Sequence, residues 1–163
     1  MIWERMKTRS QPCQKSKLMT INTTVESIYQ PDQATECKRP LFLVSVSAGF
    51  PSPADDYIEN QLDLNRHLIK HPAATFFVKV KGDSMIDAGI HSGDILIVDR
   101  SLEANDKKVV IAVVDGELTV KRIRIIDKKV FLLPENSDFS STEITESMDF
   151  KIWGVVTNVI HAL

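Results

Sequence analysis

Val109-Val110-Ile111-Ala112-Val113-Val114-Asp115-Gly116-Glu117-Leu118-Thr119-Val120-Lys121-Arg122-Ile123 decides the fold of this chain. Two runs rich in β-branched residues flank Asp115-Gly116, a pair suited to a two-residue hairpin turn because both of its positions need a positive φ. The same texture recurs on either side. Segments 75–81, 94–99, 107–114, 117–126, 129–133 and 149–160 are rich in Val, Ile and Phe and are separated by turn residues, which predicts strands joined by short connections. The expected fold class is mainly β: an antiparallel body with short N-terminal helices ahead of it and a flexible N-terminal arm.

Upstream the pattern weakens. Residues 1–40 are polar and lack a sustained helical period, so they read as an arm. Residues 41–46 read as a short strand that breaks at Ser47-Ala48-Gly49-Phe50-Pro51. Ser52-Pro53-Ala54-Asp55-Asp56 carries the capping serine, early proline and acids of a helix start. A helix to about Gln61 is predicted, then a second over 65–70 that His71-Pro72 ends.

A length of 163 residues suits one domain with a core plus an arm. No stretch approaches the roughly 20 apolar residues of a membrane helix, and the 41–46 run is too short and too far in for a secretory signal. The expected compartment is the cytoplasm. Cys13 and Cys37 both fall in the polar stretch and read as reduced thiols without a role. The net charge of −2 hides an asymmetry: residues 1–48 hold seven Lys or Arg against four Asp or Glu, while 49–163 hold thirteen against eighteen. An acidic body argues against a basic nucleic-acid grip. No helix-turn-helix pattern occurs in the first 48 residues, and Met19 offers an alternative start that would remove the basic tail.

Two positions carry candidate chemistry. Ser84 follows a predicted strand and the turn Gly82-Asp83, a place where a hydroxyl is presented beside free backbone N–H groups, although a plain turn serine explains Gly-Asp-Ser equally well. Lys121 shares one strand face with Thr119 and Ile123. Burial of that face would depress its pKa toward that of a general base, and exposure would leave an ordinary surface lysine. His67, His71, His91 and His161 show no spacing that suggests a triad or a metal site, and the six glycines form no phosphate loop, so no cofactor or metal is expected.

Ser47-Ala48-Gly49-Phe50-Pro51-Ser52-Pro53, Gly82-Asp83-Ser84-Met85-Ile86-Asp87, Gly93-Asp94-Ile95-Leu96-Ile97-Val98-Asp99, Asp115-Gly116-Glu117-Leu118-Thr119-Val120-Lys121-Arg122 and Leu133-Pro134-Glu135-Asn136-Ser137 together resemble the LexA/UmuD family of self-cleaving Ser-Lys proteins. The resemblance covers residues 41–160 and leans to the UmuD branch, since no helix-turn-helix precedes Ala48-Gly49. It implies Ser84 as nucleophile, Lys121 as general base, Ala48-Gly49 as the cleavage site, and the N–H groups of Ser84 and Met85 as oxyanion donors. The implied division is 1–48, an arm removed by self-cleavage, and 49–163, a β-rich peptidase domain resembling signal peptidase in its Ser-Lys logic. The implied role is in the DNA-damage response: a homodimer, processed on meeting a RecA nucleoprotein filament, that becomes the accessory subunit of an error-prone polymerase with a Y-family, UmuC-like catalytic partner. It implies no membrane contact and no sequence-specific DNA binding. A catalytically silent dimeric adaptor and a truncated LexA-like repressor are the alternatives. Two features depart from the usual pattern: Ala48 stands where UmuD of the familiar type has Cys, and the arm is longer.

Overall fold

The computed structural model describes residues 22–32, 38–42 and 58–163. In chain order the elements are β1 (Thr24–Tyr29), β2 (Lys38–Phe42), β3 (Ile58–Asp63), the short helix α1 (Leu64–Leu68), β4 (Thr75–Lys81), β5 (Ile95–Asp99), β6 (Val109–Val114), β7 (Glu117–Ile126), β8 (Lys129–Leu133), β9 (Thr142–Ile144) and β10 (Phe150–Ile160). Eight strands make one antiparallel sheet in the order β1-β4-β5-β10-β6-β7-β8-β9. Strand β1 also meets β7, with Thr24 opposite Thr119. The sheet therefore closes: β1, β4, β5, β10, β6 and β7 form a small barrel, and β8 and β9 extend it beyond β7. β2 and β3 pair with each other in a separate two-stranded sheet.

The deciding hairpin forms as its sequence requires. Val114 faces Glu117, and Asp115 and Gly116 turn with φ of 50° and 86°. Its second strand, β7, is lined on both faces. Val120 joins a core of Val78, Val80, Met85, Ile90, Leu96, Val98 and Ile111, while Ile123 joins a second cluster of Val110, Ala112, Leu132 and Val155. Each Val, Leu, Ile or Met among them contributes about 1.5–3 kcal/mol on burial, so these clusters hold the strand that carries Lys121.

Strand β10 crosses the barrel with register shifts between Ile152 and Gly154 and between Val156 and Asn158. At the first of these a side chain has no room: a Cβ on Gly154 would lie 2.6 Å from Val98 Cγ1. Gly154→Ala is therefore expected to lower stability by about 1–3 kcal/mol, read as a fall in the urea midpoint at unchanged slope.

Two parts of the N-terminal reading differ. Residues 24–29, inside the stretch read as an arm, form β1. Residues 58–61, read as the end of a helix, form β3 because pairing with β2 satisfies their backbone, which an isolated turn of helix does poorly. Of the strand expected over 41–46, Leu41 and Phe42 belong to β2, and the rest, with the helix start at 52–57, lies outside the described residues. The second helix is found at Leu64–Leu68, where Asp63 accepts hydrogen bonds from the N–H groups of Asn65 (3.0 Å) and Arg66 (3.4 Å).

Candidate active site

Strand β4 ends at Lys81, and Gly82 turns the chain with φ of 108°, a conformation that glycine adopts freely. The turn delivers Ser84 into the interior, fully buried, with the equally buried Met85 behind it. A second segment straps this turn. Glu135 N–H donates to the Ser84 carbonyl (2.8 Å), Asp87 N–H donates to the Glu135 carbonyl (2.9 Å), and Asn136 Nδ2 donates to the Asp83 carbonyl (2.9 Å). The Glu135 carboxylate is held in turn by Arg122, the neighbour of Lys121 on β7. Neither the Ser84 nor the Met85 N–H is spent on a backbone bond to another described residue.

Lys121 reaches Ser84 from β7, with Nζ 2.6 Å from Oγ. The residue is 6% exposed, and burial lowers its pKa from 10.5 to about 8. As an ammonium the amine donates to Oγ; as the neutral amine its lone pair accepts the hydroxyl proton over the same distance. The arrangement therefore has what proton transfer from a hydroxyl requires: contact, and an amine that is partly neutral near pH 7. Sequence reasoning left the burial of the Lys121 face open, and the structure closes that question. A cleft of about 380 Å³ opens beside the amine, with Thr119, Leu118, Val114, Leu132, Ser140 and Thr142 among its lining.

That burial has a stability cost with a definite sign. Between pH 8 and 10.5 the unfolded chain keeps the Lys121 proton and the folded chain loses it, so stability rises with pH across that window. Below pH 8 folding must bury the charge. Lys121→Met is expected to raise stability at pH 7 by about 1–3 kcal/mol, with the gain fading above about pH 10; denaturant midpoints at the two pH values check it.

The dyad has two further neighbours that the sequence did not announce. Thr23 N–H donates to Ser84 Oγ (2.9 Å), and Lys121 Nζ donates to Asn22 Oδ1 (3.4 Å). The family resemblance implied Ala48-Gly49 as the bond that the pair cuts. Ala48 and Gly49 lie outside the described residues, and Asn22 and Thr23 are the residues that contact the dyad from the N-terminal side.

Away from the dyad, three histidines of indistinct spacing find partners. His71 Nδ1 lies 2.6 Å from Asp99 Oδ2, and His161 Nδ1 lies 2.7 Å from Asp94 Oδ1. His91, Asp94 and His161 offer ligand atoms within 4.8 Å of one another, the one group among the described residues that could hold a metal ion. Asp94 already accepts the His91 backbone N–H at 2.7 Å, so its carboxylate has a structural task as a turn cap.

A buried serine in contact with a buried lysine on a closed antiparallel sheet is an arrangement that suits the class of serine peptidases. Comparison with known proteins agrees. The Peptidase S24-like family profile matches residues 40–157, and the chain belongs to that family, the LexA/UmuD family. It is 46% identical over 132 residues to Protein SamA of Salmonella typhimurium, covering 81% of this chain and 89% of that protein. It is 44% identical over 120 residues to Protein MucA of Escherichia coli, covering 73% and 82%. To the LexA repressor of Stenotrophomonas maltophilia it is 35% identical over 137 residues, covering 84% of this chain and 64% of the repressor. Among the described residues no helix is long and apolar enough to cross a membrane.

Proposed function

We propose that this chain is a self-cleaving protein of the DNA-damage response, in which Ser84 and Lys121 cut the Ala48–Gly49 bond. The observation that carries the reading is the 2.6 Å approach of a buried lysine amine, with its pKa lowered to about 8, to a buried serine hydroxyl. Neutral Lys121 takes the Ser84 proton as Oγ bonds to the Ala48 carbonyl carbon. The N–H groups of Ser84 and Met85 receive the oxyanion. The ammonium then protonates the Gly49 nitrogen as the peptide bond breaks, and water attacks the resulting ester to free the Ala48 carboxylate and regenerate the dyad.

The division into a released arm, 1–48, and a retained body, 49–163, follows from that cut. The bond sits in the connection 43–57, whose ends are held by the pairing of Phe42 with Ile58. Target and cutting pair belong to one chain, which raises the effective concentration of the bond at Ser84. The small side chain of Ala48 suits a site enclosed by strands. The kinship with SamA, MucA and LexA supports a RecA filament as the trigger, a homodimer as the assembly, and a UmuC-like polymerase subunit as the partner of the processed form.

Incubation of the purified chain with RecA, single-stranded DNA and a nucleotide is expected to yield a fragment beginning at Gly49. Mass spectrometry reads the cut and the start site together. Persistence of intact chain under those conditions, and at alkaline pH, would favour a silent adaptor instead.

A further inference from the structure

The cleft beside Lys121 does not reach Ser84, whose hydroxyl is closed to a substrate. Ser84 and Thr23 are fully buried and Lys121 is 6% exposed. What covers the pair is the chain's own first strand. Thr23 spends both backbone groups there: its N–H donates to Ser84 Oγ (2.9 Å), and its carbonyl accepts from Val120 N–H (3.1 Å) and from Thr119 Oγ1 (3.4 Å). Behind it, residues 24–29 run antiparallel along β4 as far as Tyr29 opposite Phe77.

We propose that residues 22–29 act as a built-in competitor for the substrate groove, so that cleavage of the Ala48–Gly49 segment has to wait for this strand to leave. The inference rests on the reading of Ser84 and Lys121 as the cutting pair. A carbonyl attacked by Ser84 must come within about 3 Å of Oγ, and the Thr23 amide holds that position. An extended segment bound between β4 and β7 would also need the backbone groups that Thr23 and its neighbours use. The two segments are mutually exclusive.

The competitor is built to be displaceable. Its register with β4 slips between Val25 and Ser27, its outer residues Ile28 and Tyr29 are 40% and 56% exposed, and its ion pair, Glu26 to Lys79 at 3.1 Å, is open to water on both sides. Thr23 Oγ1 is buried with no hydrogen-bond partner among the described residues, which weakens the covered state. A cut after Ala48 removes residues 22–29 with the rest of 1–48, so the switch works once and does not reset.

Two substitutions at one position move the strand in opposite directions. Thr23→Pro deletes the N–H that meets Ser84 and crowds Oγ, and is expected to speed release of the Gly49 fragment about tenfold. Thr23→Val keeps the backbone bonds and replaces the unpartnered hydroxyl by a methyl, and is expected to slow it about fivefold. Both rates are followed beside the wild-type full chain at pH 9 by intact-mass spectrometry. Equal rates for all three chains overturn the inference and leave the cutting pair standing. A fragment beginning at Thr23 overturns it too, because the strand would then be a substrate. If no chain is cut, the cutting pair fails as a reading, and hydrogen exchange of residues 22–29 in the wild-type chain decides on the strand separately. Uptake complete within about a minute overturns the inference; slow uptake, lost in Thr23→Pro, is the expected result.

Discussion

Ser84→Ala is expected to slow release of the Gly49 fragment by about 10³-fold or more, and Lys121→Ala by a similar factor, because each removes half of a unit that works only as a pair. With no Oγ at position 84, nothing can form the ester to Ala48. With no amine at 121, the hydroxyl loses the base it touches, and no carboxylate joins the two side chains in their hydrogen bonds among the described residues to take its place. The double variant should be no slower than either single one. Time courses of fragment release for the three variants and the wild type give the comparison, and a full wild-type rate in either single variant contradicts the assigned roles.

The second large effect is on pH. With its pKa at about 8, Lys121 is neutral in about a tenth of molecules at pH 7 and in about nine-tenths at pH 9. Cleavage should therefore rise about tenfold between those values and level off above about pH 9. An exposed lysine would instead keep the rate climbing toward the ordinary value of 10.5. The position of the plateau thus reports burial of this amine, and a rate still rising steeply from pH 9 to 10.5 would show that the working base is not the buried Lys121.

How much of this could be read in the chain depended on distance along it. Strands β4, β7 and β8 were legible to the residue, because Val, Ile and Phe runs end at turn residues. Asp115-Gly116 announced its hairpin. Ser84 and Lys121 stood out through the motifs around them, but each residue alone had an ordinary explanation. Their contact spans 37 positions, and no local pattern encodes it. Thr23 and Asn22 were invisible for the same reason at larger separations of 61 and 99 positions, and because Thr-Thr-Val-Glu-Ser makes a polar strand that resembles a linker. The misread helix end at 58–61 shows tertiary pairing outweighing local propensity. His161 and Asp94 met across 67 positions without a signature.

The central claim is that this chain cuts itself between Ala48 and Gly49 with Ser84. The most direct measurement is intact-mass spectrometry with N-terminal sequencing of the full-length chain after incubation at pH 9, beside the Ser84→Ala chain under the same conditions. The wild type should give a single new body fragment whose first residue is Gly49, and Ser84→Ala should remain whole. An uncut wild-type chain, or the same Gly49 fragment from Ser84→Ala, would contradict the account.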